Sequence, residues 1–419
     1  MHRAKWLGAR PGLDGIPSNE DRIVDFEVPS VLELDGRNHD PQSSQATATR
    51  GSAGDGTPGR GGTTRHNPGM TTPPLLDALL RTPGPSGYEG PAAKVWREAA
   101  DFAEITTDGL GSSVATIGED TDLPLVAVVG HIDEIGLVVT HIDEKGFLYF
   151  APIGGWDPQI LVGQRVTVTG SEGQVPGVAG RKPIHLLDPD QRKKVVKLKE
   201  MHIDIGAEDR DEAESLVSVG DPVVIDSEPL AVAGGRLVSR SMDNRLGSYI
   251  ALEALRRCHE NARLKSRFAA VAAVQEEIGL FGSRTASFTV RPDLAVAIDV
   301  THATDAPGID EKEVGTHPFG SGPVIGRGST LSPRLYELLR DAAEAAGISY
   351  SVGASGNATH TDADSLQISR TGIPTGLVSI PLRYMHSPVE MVDLTDVEAT
   401  VELVVAFVES IEAGVDLSR

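Results

Sequence analysis

Cysteine is almost absent from this sequence: Cys258 is the only one among 419 residues. No internal disulfide can form, so a reducing compartment and an ordinary apolar core are the natural expectation. Cys258 falls in a stretch of helical character, where a lone thiol is expected to act as a small buried hydrophobe. Basic charge is also scarce. Lys and Arg number 38 against 60 Asp and Glu, a formal charge of -22, which leaves no basic face for nucleic acid. No apolar run approaches the ~20 residues of a membrane span, and the N-terminus has no contiguous apolar segment of signal-peptide type. A cytoplasmic protein without nucleic-acid or membrane partners is expected.

What is present suffices for one large domain or two moderate ones, with 39% hydrophobic residues. Residues 1–69 stand apart. Between Gln42 and Thr64 the chain is rich in Gly, Ser and Thr and has no large apolar side chain, so it cannot offset its own ordering entropy. This stretch is expected to be a disordered extension, or else Met70 is the true start. From Leu75 the chain alternates helical and strand signals. Residues 137–232 differ: short β-branched runs such as Arg165-Val-Thr-Val-Thr169 are separated by Gly, Pro and Asp turns. That pattern reads as a small β-rich, barrel-like insertion. The expected fold is α/β: a mixed-sheet domain formed by residues 70–136 and 233–419, interrupted by the 137–232 module.

Four apolar runs share one property: each ends at a side chain able to hold a metal. Leu125–Val129 leads to His131 and Asp133, and Phe268–Val274 to the pair Glu276-Glu277. Leu294–Ile298 ends at Asp299, and Gly376–Ile380 runs on to His386. Strand ends of this kind are where open α/β sheets bind ligands. Asp243 joins them at a predicted helix start, placed to cap a helix carrying Leu246, Ile250 and Ala254. Each residue alone has an ordinary explanation as a core histidine, a cap or a surface group. Together, two histidines and several carboxylates without cysteine suit a borderline divalent ion: zinc, cobalt or manganese. Since one catalytic zinc needs only about three protein ligands, two ions explain the set better. His131 and Asp299 would serve one, Glu277 and His386 the other, with Asp243 as the bridge. Asp133 would orient the His131 ring, and Glu276, left without an ion, would carry protons.

These segments, namely Gly130-His-Ile-Asp-Glu-Ile-Gly136, Ser241-Met-Asp-Asn-Arg245, Gln275-Glu-Glu-Ile-Gly-Leu-Phe-Gly282, Ala297-Ile-Asp-Val300 and Arg383-Tyr-Met-His-Ser387, closely resemble the tetrahedral aminopeptidases. That family includes glutamyl aminopeptidases and proteins once labelled cellulase or endoglucanase M. The resemblance runs in order from about Leu75 to Ile411 and includes Gly180-Arg-Lys-Pro-Ile-His185 and Ile203-Asp-Ile-Gly206. It implies a zinc-peptidase type catalytic domain, a β-rich dimerisation insertion, and dimers assembled into a hollow dodecamer. It also implies two divalent ions and release of N-terminal residues from short peptides. Carried over by motif, His131, Asp243 and Asp299 would hold one ion, and Asp243, Glu277 and His386 the other. Glu276 would be the base and Asp133 the partner of His131. Two departures stand out: Asn244 follows Asp243 where members often carry a second acid, and His360-Thr-Asp-Ala363 replaces a commoner glycine-led form.

Other functions are less consistent with these residues. Glycoside hydrolysis needs two carboxylates facing each other across a sugar, ~5 Å or more apart. Glu276 and Glu277 are sequence neighbours, and an aromatic content of 4% leaves little for sugar stacking. A metal-stabilised, non-catalytic shell would have no use for a spare base. A dinuclear deacylase or amidohydrolase is the enzymatic alternative, separable by comparing free and N-acetylated peptides.

Overall fold

The computed structural model describes residues 71–419; the expected extension, residues 1–69, lies outside them. Four parallel strands form the centre of an 11-stranded mixed sheet: Arg267–Ala273, Leu125–His131, Leu294–His302 and Thr375–Arg383, in that spatial order. Their sequences explain the placement. In the Leu125 strand, Val126 and Val128 face one apolar cluster while Leu125, Ala127 and Val129 face another. A strand covered on both faces reads as a continuous apolar run instead of an alternating one. The larger layer contains the helices Pro74–Arg81, Gly90–Ala99, Met242–Asn261, Pro333–Ala346 and Leu394–Ser410. The smaller one contains Phe281–Val290 and Asp362–Leu366. Cys258 is buried within the first, as expected. Antiparallel strands complete both sheet edges.

Six further strands close a barrel with its own core, in the order Gly136–Ile142, Leu148–Ile153, Met201–Asp204, Gly173–Arg181, Arg165–Gly170 and Pro222–Ile225. The mixed α/β sheet and the barrel agree with the expected fold class. The boundary expected at 232 needs correction. Leu230–Val232 pairs with Arg236–Ser239 at the edge of the large sheet, so the barrel strands end at Ile225. A three-residue strand so close to the junction carries no signal of its own about which sheet it joins.

The start of the helix Met242–Asn261 also corrects an expectation. Asp243 and Asn244 have non-helical dihedrals, and Asp243 caps nothing. The cap is Asn244, whose Oδ1 accepts from Gly247 N at 2.8 Å, while its Nδ2 donates to Ile298 O at 2.7 Å. A carboxylate could make the first bond but not the second. The amide therefore ties the helix start to the strand just before Asp299, and the Asp243 side chain is free for other partners. Gly130 makes the crossing possible, because any Cβ there would run into the backbone of Gly247. Among the described residues, no helix is long and apolar enough to cross a membrane.

Candidate metal centre

Because the four central strands are parallel and in register, their carboxyl ends fall on one rim of the sheet, about 4.8 Å apart from neighbour to neighbour. His131 is the last residue of its strand and lies opposite Ala273, three residues before Glu276. Asp299 lies in the next strand, opposite Ser379. All five proposed ligands, with Glu276 and Asp133, meet at this rim.

Asp243 occupies the middle. Its Oδ1 is 3.1 Å from His131 Nε2 and its Oδ2 is 3.4 Å from His386 Nε2. His386 Nε2 is also 3.4 Å from Glu277 Oε2, and His131 Nε2 is 3.8 Å from Glu276 Oε2. Two compact donor groups result: His131, Asp243 and Glu277, and His131, Glu276 and Asp299. This grouping is not quite the expected one, because His131 belongs to both and Glu276 comes as close as a ligand would.

Both imidazoles are oriented from behind. His131 Nδ1 lies 3.3 Å from both the carboxylate and the carbonyl of Asp133. His386 Nδ1 lies 3.0 Å from Gly155 O, on the loop that follows the barrel strand Leu148–Ile153. With Nδ1 donating, each Nε2 would turn a lone pair to the pocket once a cation displaced the proton it shares with the carboxylates. Asp133 has a second task. It accepts from Ser86 Oγ at 2.6 Å, Glu276 N at 3.1 Å and Glu277 N at 3.2 Å. One carboxylate thus sets both the His131 ring and the turn that carries the two glutamates. Glu390, four residues after His386, does similar work opposite, accepting from His386 N at 2.8 Å and Asp243 N at 3.2 Å. It helps hold His386 at a left-handed φ of 58°, a conformation costly for a non-glycine residue.

Behind the rim, Glu134 forms buried ion pairs with Arg240 and Arg245. Arg245 also donates to Ile132 O at 2.5 Å and to Leu79 O, joining the first helix, the His131 segment and the Asp243 turn. His360, the departure from a glycine-led segment, has φ 56°. That left-handed position is one glycine adopts without cost.

The electrostatics of the pocket are those of too many acids in one buried space. Burial pushes the Glu276 carboxyl up to about 10 against the pull of the His131 imidazolium, and Asp299, Asp362 and Glu277 add to the rise. Burial and Asp243 likewise hold Asp299 well above the ordinary range. Asp243 goes the other way: burial would raise it, but hydrogen bonds to His131 and His386 overcome that and lower it. The same bonds, from Asp243 and Glu277, raise His386 to about 11. Burial works against the charged form of His131, yet the surrounding carboxylates carry it well above its usual value. Such a pocket retains protons where positive charge is wanted. Glu277 Oε1 and both oxygens of Asp362 are buried with no hydrogen-bond partner. Unpaired carboxylate oxygens among nitrogen and oxygen donors are what a divalent cation would satisfy, so the residues fit the group expected from the sequence.

Asp362 and Glu390 were not among the sequence candidates. Glu390 follows His386 by one helical turn's spacing and could have been weighed as its partner. Asp362 lies only in a motif quoted for its departure, and nothing local distinguishes it from an ordinary helix-start acid.

A rim of imidazoles and carboxylates on a parallel sheet, with an inserted barrel, defines a metallohydrolase-like α/β protein. A family model described as M42 glutamyl aminopeptidase matches residues 111–403. A lysyl aminopeptidase from Pyrococcus furiosus is 34% identical over 346 residues, covering 81% of this chain and 97% of that one. Among solved structures, a TET aminopeptidase from a marine-sediment thaumarchaeon superposes with a TM-score of 0.77 at 35% identity, covering 81% and 96% of the two chains. The Pyrococcus horikoshii TET1 peptidase, described as assembling into a tetrahedron or a large octahedral shell, gives 0.72 at 32%, covering 80% and 99%. The chain therefore belongs to the M42 glutamyl aminopeptidase family and is a peptidase, a hydrolase of peptide bonds.

Proposed function

We propose that this chain is a dinuclear-metal aminopeptidase that releases N-terminal residues from short peptides, with Glu276 as its general base. The observation that carries the reading is Asp243, which offers one oxygen to each of two imidazoles while Glu277 Oε1 lies buried and unpaired beside them. His131, Asp243 and Asp299 would hold one ion, and Asp243, Glu277 and His386 the other. Zinc or cobalt fits this donor set best, and manganese is also admissible. When bound, the ions would polarise the scissile carbonyl and acidify a water molecule.

The chain's own residues do the rest. Asp133 and Gly155 O orient the two rings, and Asp133 fixes the Glu276-Glu277 turn through both backbone N–H groups. Glu276 takes the proton of the attacking water and delivers it to the leaving amine. Its carboxyl holds a proton because it is buried, with neighbouring acids adding to the effect, so it becomes a base only when positive charge is brought beside it. Assembly into a dodecamer, with the barrel as the dimerisation element, is proposed from the solved TET1 relatives, one of which is described as a dodecamer. A cytoplasmic location accords with one buried thiol.

The deciding experiment assays aminoacyl-p-nitroanilides and their N-acetyl counterparts before chelation, after it, and after adding zinc or cobalt, with particle mass measured alongside. Free-amino substrates should be cleaved, activity should vanish with EDTA, and the metal should restore it. Equal cleavage of N-acetylated substrates would make the protein a deacylase, and chelation-resistant hydrolysis of carboxymethylcellulose would make it a glycosidase.

Ion binding is expected to be coupled to proton release. His386 is raised to about 11 and Glu276 to about 10, so near neutral pH both carry protons that a cation displaces. Affinity should therefore rise with pH. Calorimetric titration in buffers of different ionisation heat should show at least one proton released per subunit; heats independent of the buffer would contradict this.

A further inference from the structure

We propose that Asp362 is a positioning residue for the cation site on the His131–Asp299 side: an outer carboxylate that strengthens divalent-ion binding there without being a direct ligand. The inference rests on the metal-centre reading above. Asp362 opens the short helix Asp362–Leu366, which follows Thr361 and packs in the smaller apolar layer with Ala363 and Leu366. Its relative exposure is 1%, and neither oxygen has a hydrogen-bond partner. The Ser283 hydroxyl lies near enough to favour the Asp362 carboxylate, but its own hydrogen-bond partners are Ser365 Oγ at 2.5 Å and Leu280 O at 3.3 Å. A five-residue helix offers too small a dipole to compensate a buried charge.

The helix packs against the strands Leu125–His131 and Leu294–His302, which carry His131 and Asp299, and the charges that Asp362 exchanges are those of the rim. Asp362 is felt by Glu276 and Asp299 and itself feels His131 and Asp133. Burial and Asp133 work against its charged form, and the His131 imidazolium favours it. The other accessory carboxylates at the rim differ in their hydrogen bonds. Both oxygens of Glu390 are taken by backbone N–H groups, and Asp133 accepts from three donors. Only Asp362, among these, has neither oxygen in a well-formed hydrogen bond. An ionised carboxylate without donors is strongly disfavoured in a buried site, and a cation at the His131–Asp299 side, with its water shell, supplies both charge and donors. Outer carboxylates of this kind hold ions more tightly by the orientation and field they impose.

Asp362→Asn removes the charge and keeps the shape. Full-length protein stripped of metal would be titrated with zinc against a chromophoric chelator, with cobalt absorption as a second reporter and melting temperature followed in both states. The metal-free variant should melt no lower than wild type, since a buried charge is gone. One ion should bind about 10–100-fold more weakly, with the other unchanged and the rise in melting temperature on metal addition reduced. The effect should persist in a Glu277→Gln background, where only the His131–Asp299 side is left, and Asp362→Glu should recover most of the affinity. Unchanged affinities in Asp362→Asn would overturn the proposal. So would a variant that unfolds or melts lower without metal, which would mark the residue as structural. Wild-type protein that binds fewer than two ions would count against the dinuclear reading, whereas two equally tight ions in both proteins would count against Asp362 alone.

Discussion

Glu276→Gln should leave the divalent ions in place and lower kcat by about 10²–10⁴-fold, the usual contribution of a positioned general base. Glutamine matches glutamate in shape and keeps the backbone N–H that Asp133 accepts, so the turn is preserved. What disappears is the carboxylate that moves the proton. KM should change little, because the group acts on the reacting water and not on ground-state binding. The neighbouring substitution provides the control. Glu277→Gln replaces a carboxylate that lies 3.4 Å from His386 and has one oxygen buried and unpaired, and it should lose one ion. Metal analysis after gel filtration, paired with steady-state kinetics, distinguishes the two. Glu276 comes as near to His131 as a ligand would, so this measurement decides between base and ligand. If Glu276→Gln loses an ion, or Glu277→Gln retains both, the division of labour is wrong.

Asp243→Ala should have the larger effect: loss of both ions and of all activity above that of the metal-free protein. The reason is the central place of this carboxylate. Each oxygen serves a different imidazole, so no other side chain can supply both halves of the bridge. Without it, His386 loses the foremost group that holds it above its usual pKa, and His131 loses one of several. They should then titrate nearer neutrality, which proton NMR of the ring resonances would show. The structural risk is modest, because the helix is capped by Asn244 and not by Asp243. An Asp243→Ala protein that still binds two ions would refute the bridge.

Several features were legible in the sequence because they depend only on near neighbours. The runs Leu125–Val129 and Phe268–Val274 have apolar residues on both faces, and burial between two helical layers requires this of a central parallel strand. Repeated β-branched segments between Gly and Asp turns marked the barrel region. The residue types at the strand ends narrowed the chemistry to divalent ions before any distance was known. Asp393 and Ser332 cap their helices as their side chains favour, accepting from backbone N–H groups of the first turn.

Other features belong to the tertiary structure alone, because they are set by distances between chain segments far apart in sequence. Whether Asp243 or Asn244 caps its helix depends on Ile298 O lying 2.7 Å from Asn244, a contact spanning 54 residues. That Glu390 is spent on backbone donors while Asp362 remains unpaired follows from how two loops pack on the rim. The pairing of His131 and His386 with opposite oxygens of one carboxylate is likewise a matter of through-space geometry. Coulomb energy falls with distance and with the dielectric around each pair, and neither can be read from residue order. Sequence by itself thus determined which donors this peptidase has, and folding decided which of them face one another.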